Sequence, residues 1–213
     1  MDAFAETQDG LVHQARLQPG RRGTAHGVNP NPGRPTPACE PPITVGGVSL
    51  DLTSHAAVSA VRSALAEQGY DPDFRVLPDA VKTAQAAADA LGITPAEVAN
   101  SLIFTAVAPD GSALPLLVMA SGGHRVDTAY LAAALGLDRL DRATPDFVRT
   151  HTGMAIGGVA PLGHPAPIRT IVDTDLARFE HIWAAGGHSH TVFQTTFADL
   201  IEMTGGQVAE VAR

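Results

Sequence analysis

The stretch of this chain best suited to chemistry without a reactive side chain runs from Gly153 to Gly163 and reads Gly-Met-Ala-Ile-Gly-Gly-Val-Ala-Pro-Leu-Gly. Four glycines and one proline in eleven positions allow positive φ and close approach to another molecule where a Cβ would block it. Exposed N–H groups in such a loop can bond a carbonyl or an oxyanion without any charged side chain, and donors fixed in advance are the strong ones. Glycine-rich connections also serve as plain turns, so the loop gains meaning only from its surroundings.

Other chemistries find little support. There is no Gly-x-Ser-x-Gly elbow, no glycine-rich phosphate loop with a Lys-Ser/Thr pair, and the single cysteine, Cys39, lies in a proline-rich segment. This disfavours triad hydrolysis and nucleotide hydrolysis. His188-Ser189-His190, with His181 nearby, could gather imidazoles, but no acidic or cysteine partner stands at recognisable ligand spacing. No metal site and no cofactor are expected. Asp173 and Asp175 follow a strand candidate and read as helix caps rather than acid/base groups, and Arg125 beside Gly122 and Gly123 reads as an exposed turn residue.

The elements that must position the loop follow from spacing and capping residues. Val58, Val61 and Leu65 fall on one face of a helix spanning Ser54 to Gln68, with Thr53 or Ser54 as N-cap and Gly69 as stop. Phe74–Leu77 reads as a short strand. Thr83 caps an alanine-rich helix over Ala84–Leu91 that Gly92 ends, and Thr94-Pro95-Ala96-Glu97 carries the capping-box arrangement of another, short helix. Ser101–Val107 is an apolar, β-prone run that predicts a buried strand, placing Asn100 at a helix-to-strand junction. After a turn at Pro109-Asp110-Gly111, Leu114–Met119 is the antiparallel return strand. Asp127 caps a helix through Leu135, and Thr144-Pro145-Asp146 opens one that ends at Gly153. Ile168–Val172, His181–Ala185 and Thr191–Gln194 are strand candidates, Thr196–Met203 is a helix, and Gln207–Ala212 closes a sheet edge. Alternation early and strand clustering late predict one α+β domain with a mixed sheet.

Composition bounds the rest. The chain has 213 residues, 45% hydrophobic and 17% charged, with no apolar run long enough for a membrane span. Residues 1–45 hold four basic residues (Arg16, Arg21, Arg22, Arg34) and four acidic ones (Asp2, Glu6, Asp9, Glu40), so the net charge of −8 belongs to the body. The prolines of 28–37 predict a disordered extension over residues 1–45, followed by one domain over 46–213. The N-terminus shows neither a basic segment nor an apolar core of a secretory signal, and a lone cysteine suits a reducing compartment; a cytoplasmic protein is expected. The acidic balance argues against a broad electrostatic grip on nucleic acid without excluding a local one. Lys82 is the sole lysine.

From about Ser54 to Ala212 the chain resembles the YbaK-like aminoacyl-tRNA deacylases, the family related to the editing domain inserted in bacterial prolyl-tRNA synthetases. The resemblance rests on Thr83 with the Ala87-Ala88-x-x-Leu91-Gly92 helix, Asn100-Ser101-Leu102-Ile103-Phe104, Gly157-Gly158-Val159-Ala160-Pro161 followed by Gly163, Ile171-Val172-Asp173, and Gly186 before the Asp199-Leu200 helix. It implies a curved mixed sheet flanked by helices and hydrolysis, in trans, of the ester joining a mischarged amino acid to the terminal adenosine of tRNA. It further implies Asn100, Gly157 and Gly158 as catalytic positions. Ser101, Val159, Ala160, Pro161, Gly163 and Gly186 would contact substrate, and the partners would be the acceptor end of aminoacyl-tRNA and, secondarily, a synthetase. One departure stands out. The family usually carries a lysine directly before Ser/Thr-Leu, where this chain has Asn100, and Lys82, eighteen positions upstream, is not an evident substitute. The alternative is therefore a binding module that kept the pocket and lost turnover; a small-molecule esterase or amidase is a third class.

Overall fold

The structure, a computed structural model, describes residues 44–45, 48–49, 52 and 54–213. The expected extension over residues 1–45, with Cys39, lies outside these apart from Thr44 and Val45. Strands β1 (Thr44–Val45) and β2 (Val48–Ser49) pair antiparallel.

The remaining elements follow in the order α1 (Ala56–Glu67), β3 (Phe74–Val76), α2 (Ala84–Leu91), β4 (Val98–Val107), β5 (Ala113–Ser121), α3 (Thr128–Ala134), β6 (Arg139–Arg142), α4 (Pro145–Thr152), β7 (Arg169–Asp173), β8 (Ile182–Ala185), β9 (Thr191–Thr195), α5 (Phe197–Thr204) and β10 (Gln207–Ala209). Short 3-10 turns occupy Pro95–Glu97 and Thr174–Arg178. Among the described residues one eight-stranded mixed sheet runs β10-β7-β5-β4-β8-β9-β3, with β6 attached to β4. The α+β expectation, a mixed curved sheet flanked by helices, holds.

The caps explain where most helices begin. Thr83, Asp127, Thr144 and Thr196 each accept a hydrogen bond from the amide three residues on, satisfying a donor that the first helical turn leaves unpaired. The capping box at Thr94 and Glu97 forms as expected, its carboxylate held below the usual range by the Thr94 hydroxyl and amide, but it opens only a 3-10 turn because β4 begins at Val98. Asn100 thus lies inside a strand, not at a junction. Thr53 lies outside the described residues, and Ser54 does not cap α1; the N-cap is His55, which offers no side-chain bond to the helix and instead meets His188 ring to ring at 4.8 Å. Strand β6 was not expected. Its sequence, Arg-Leu-Asp-Arg, buries only Leu140, too little for a periodicity signal, and the exposed edge of β4 recruits it.

Both faces of the sheet are covered, and residue parity assigns each side chain. Ala99 and Ile103 of β4, Leu117 and Met119 of β5, Ile182 and Ala184 of β8 and Phe193 of β9 point to one face, under α1, α4 and α5. On the other face Leu116, Val118 and Ala120 of β5 pack with Leu131 and Ala132 of α3, while Val98, Trp183 and Val192 pack with Ala87 and Ala88 of α2. That second face therefore carries two separate apolar clusters with a seam between them.

A buried carboxylate locks the far ends of β5 and β7. Asp173, 2% exposed, accepts from the Ser121 amide at 2.9 Å and the Asp175 amide at 3.2 Å and meets His124 Nε2 at 2.7 Å. Ser121, His124 and Asp173 do not form a triad: the Ser121 hydroxyl donates to the Ala96 carbonyl, and the second nitrogen of His124 faces Asp175 at 3.8 Å. Asp173 caps the Thr174–Arg178 turn, as expected; Asp175 instead holds Arg178, which lowers its pKa.

The glycine-rich loop is pinned by histidines at both ends. His164 Nε2 donates to the Ala160 carbonyl at 2.9 Å, and the backbone of His188 fits so closely against Gly158 that a Cβ there would sit 2.8 Å from it. Burial pulls the pKa of His164 below the usual histidine value, the bond to Ala160 opposing it in part. Burial, followed by His55 and His190, does the same at His188.

Two outcomes follow for stability. Removing the α5 cap by Thr196→Ala should cost about 1 kcal/mol in denaturant unfolding. As pH falls through about 6.5, the unfolded chain takes up protons that His164 and His188 resist in the folded protein, so their stabilisation is complete above that value and is lost below it. The melting temperature should drop between pH 7.5 and 5.5, and His164→Gln should flatten that dependence; an unchanged slope would show that His164 is not a source of it.

Candidate active site

The site originates in how β4 pairs. Along one edge β4 pairs with β5 over its whole length, from Ala99 opposite Ser121 to Val107 opposite Ala113. Along the other, parallel β8 pairs only with Val98 and Ala99, and antiparallel β6 pairs only with Phe104 to Val107. Among the described residues, 100–103 have no strand partner on that edge. The sheet forks there, at the seam between the α2 and α3 clusters, and a cleft of about 240 Å³ opens.

The cleft is built from four segments. Strand β4 contributes Val98 through Leu102; the segment entering α2 contributes Val81, Lys82, Thr83, Ala84 and Ala87; β8 and β9 contribute Trp183, Ala184 and Val192 among others; and the loop contributes Ile156, Gly157 and Val159. Arg142 of β6 completes the rim. The walls are mostly alanine, valine and one tryptophan, and no acidic residue is among them.

The loop carries the polar part of the site. Gly157 has a φ of 89°, in the left-handed region that favours glycine, and a Cβ there would approach the Lys82 Cα and Cγ to 3.3 Å. Its neighbours' amides are already engaged: Gly158 donates to the Ala155 carbonyl at 2.9 Å, and Ala160 points at the Met154 sulfur at 3.2 Å. The N–H groups of Gly157 and Val159 have no acceptor among the described residues, and both residues line the cleft. Gly158 thus closes the turn with its amide, whereas Gly157 and Val159 make no such bond.

Of the residues expected at the site, Asn100, Ser101, Gly157 and Val159 line one cleft. Gly158, Ala160, Pro161, Gly163 and Gly186 are not among the residues that line it. Ala160 and Pro161 are buried in or beside the core under α1, Gly163 lies against the Val61 backbone of α1, and Gly186 donates to the Thr191 carbonyl at the turn between β8 and β9. Lys82, Arg142 and Trp183 were missed. A lone lysine directly before the Thr83 cap was a usable signal; Arg142 had none, because β6 itself was invisible in the sequence.

The hydroxyls in the cleft are not poised as nucleophiles. The Ser101 hydroxyl donates to the Met119 sulfur, Thr83 accepts from the Ala86 amide, and Thr191 exchanges bonds with the His188 backbone. None meets an imidazole or carboxylate that could take its proton. The cleft brings together two residues whose amides have no protein acceptor among the described residues, one neutral side-chain amide and two cations, groups of the kind that can hold a polarised carbonyl attached to an anionic group. Among the described residues no group of histidine, cysteine and acidic side chains is arranged to hold a metal ion, and no helix is long and apolar enough to cross a membrane.

Comparison with known proteins agrees with this geometry. The chain is 24% identical over 152 residues to the uncharacterised protein YwhH of Bacillus subtilis (strain 168), covering 71% of this chain and 94% of that one. A solved structure of a protein proposed as a trans-editing enzyme for prolyl-tRNA synthetase is 35% identical, with a TM-score of 0.65 over 74% of this chain and 98% of that one. Another, from work on epitope backbone grafting onto scaffold proteins, is 31% identical with a TM-score of 0.68, covering 75% of this chain and 99% of that chain. Residues 78–203, which contain the fork, the glycine loop and all four wall segments, match the aminoacyl-tRNA editing domain, and the chain belongs to that family.

Proposed function

We propose that this protein is a trans-acting deacylase that hydrolyses the ester of mischarged aminoacyl-tRNA. Family membership supports an editing role, and the observation that carries the finer reading is the cleft in which the uncommitted amides of Gly157 and Val159 stand with Asn100. The ester carbonyl accepts from those two amides, and the Asn100 side chain orients the aminoacyl group or the attacking water. Water adds to the carbonyl carbon, the C–O bond to the ribose breaks, and the proton reaches the departing ribose oxygen through the adjacent ribose hydroxyl. The products are a free amino acid and an intact tRNA end. An aminoacyl ester is already activated, so positioning and oxyanion donors can supply much of the rate without a side-chain nucleophile.

The second reading, a binding module that recognises the same end without turnover, is favoured by one observation: position 100 carries an uncharged amide. Lysine at that position separates the two. A large gain in hydrolysis by Asn100→Lys identifies a weakened site, and a loss identifies asparagine as part of a working one.

Incubation with a panel of mischarged tRNAs should release free amino acid faster than buffer for at least one of them. Gly157→Ala, which strains the loop at its positive φ and presses on Lys82, should lower kcat/KM by about 100-fold, the scale of one lost oxyanion donor, with the far-UV spectrum unchanged. A complete panel left intact by the wild-type protein overturns the deacylase reading in favour of the binding module.

A further inference from the structure

Lys82 and Asn100 are eighteen positions apart in the chain, yet they line the same cleft. The stem of Lys82 is packed against the backbone of Gly157, while the side chain remains exposed. Across the rim stands Arg142, also exposed, placed there by the pairing of β6 with the end of β4. Three arginines elsewhere find carboxylates, Arg139 with Asp138 and Asp141, Arg178 with Asp175 and Arg75 with Asp73, while Arg62 and Arg213 lie over the rings of Phe74 and Tyr130. Among the described residues neither Lys82 nor Arg142 has such a partner, and the cleft wall between them is free of acidic side chains. Two cations at a mostly apolar cleft without acidic lining, in a chain of net charge −8, form a local positive rim that attracts an anion.

We infer that Lys82 and Arg142 form a phosphate subsite that holds the 5′-phosphate of the terminal nucleotide while its aminoacyl ester lies against Gly157 and Val159. Lys82 thereby supplies, from a different segment, the positive charge that position 100 lacks. Arginine can grip the phosphate through two N–H groups, and lysine acts as a point charge. The inference rests on the proposed reading of the cleft for its nucleotide ligand, although the subsite has a binding signature of its own.

Two minimal substrates test it: adenosine 5′-monophosphate carrying the aminoacyl ester released fastest from the tRNA panel, and the same aminoacyl adenosine without phosphate. The wild-type protein should prefer the phosphorylated form by about tenfold in kcat/KM. Lys82→Gln and Arg142→Gln should each pull that ratio toward one, Lys82→Arg should keep most of it, and Asn100→Lys added to Lys82→Gln should restore it. Calorimetric titration with adenosine 5′-monophosphate against adenosine reads the same preference without turnover. Preferential binding that Lys82→Gln abolishes, in a protein that hydrolyses no ester, would sustain the subsite and overturn the deacylase. Hydrolysis with no preference for the phosphate, or a preference untouched by Lys82→Gln, would overturn the subsite and leave the deacylase standing.

Discussion

The site depends on an interrupted edge. A strand in the middle of a sheet normally spends its backbone donors and acceptors on both neighbours, but β4 has a full partner only on the β5 side. Opposite, β8 leaves after Ala99 and β6 arrives at Phe104. In the interval the sheet opens and the helices that cover it part, with α2 over one apolar cluster and α3 over another. A closed sheet of the same length would have buried Asn100; the fork makes it one wall of a cleft.

A cleft alone has no chemistry, and the loop after α4 provides it. The loop reaches the opening because glycines let it come close: Gly158 against the His188 backbone and Gly163 against α1. Each of these contacts is tighter than a side chain would permit, so the main chain is placed by packing on both sides. Within that frame the amides are sorted by use. Those of Gly158 and Ala160 close the loop on itself, and those of Gly157 and Val159 have no acceptor among the described residues. A hydrogen-bond donor stabilises developing charge best when it need not move to do so.

The charge distribution follows a related logic. The body of the protein is acidic, which disfavours broad attraction to nucleic acid. Lys82 and Arg142 nevertheless stand together at a cleft that no acidic side chain lines.

Much of the local structure was legible in the residues. The caps at Thr83, Asp127, Thr144 and Thr196 and the apolar stripes of α1 and β4 arise from interactions a few positions apart, so sequence alone determined them, together with the glycine loop as the place where backbone could meet a ligand. Strand β6 and the one-residue shift at the start of α1 were not legible, because each is decided by a partner far along the chain: the open edge of β4 in one case and His188 in the other. The same holds for the site. Glycine spacing marked a loop whose backbone could approach another molecule, but only the folded loop decides that the Gly158 amide is spent on Ala155 while that of Val159 has no acceptor among the described residues. Only the parting of β6 and β8 could bring the sole lysine beside Asn100. Local hydrogen bonds and periodicity are written in short stretches of sequence, whereas which groups end up paired, and which remain open to a substrate, depends on contacts that exist only once the sheet has formed.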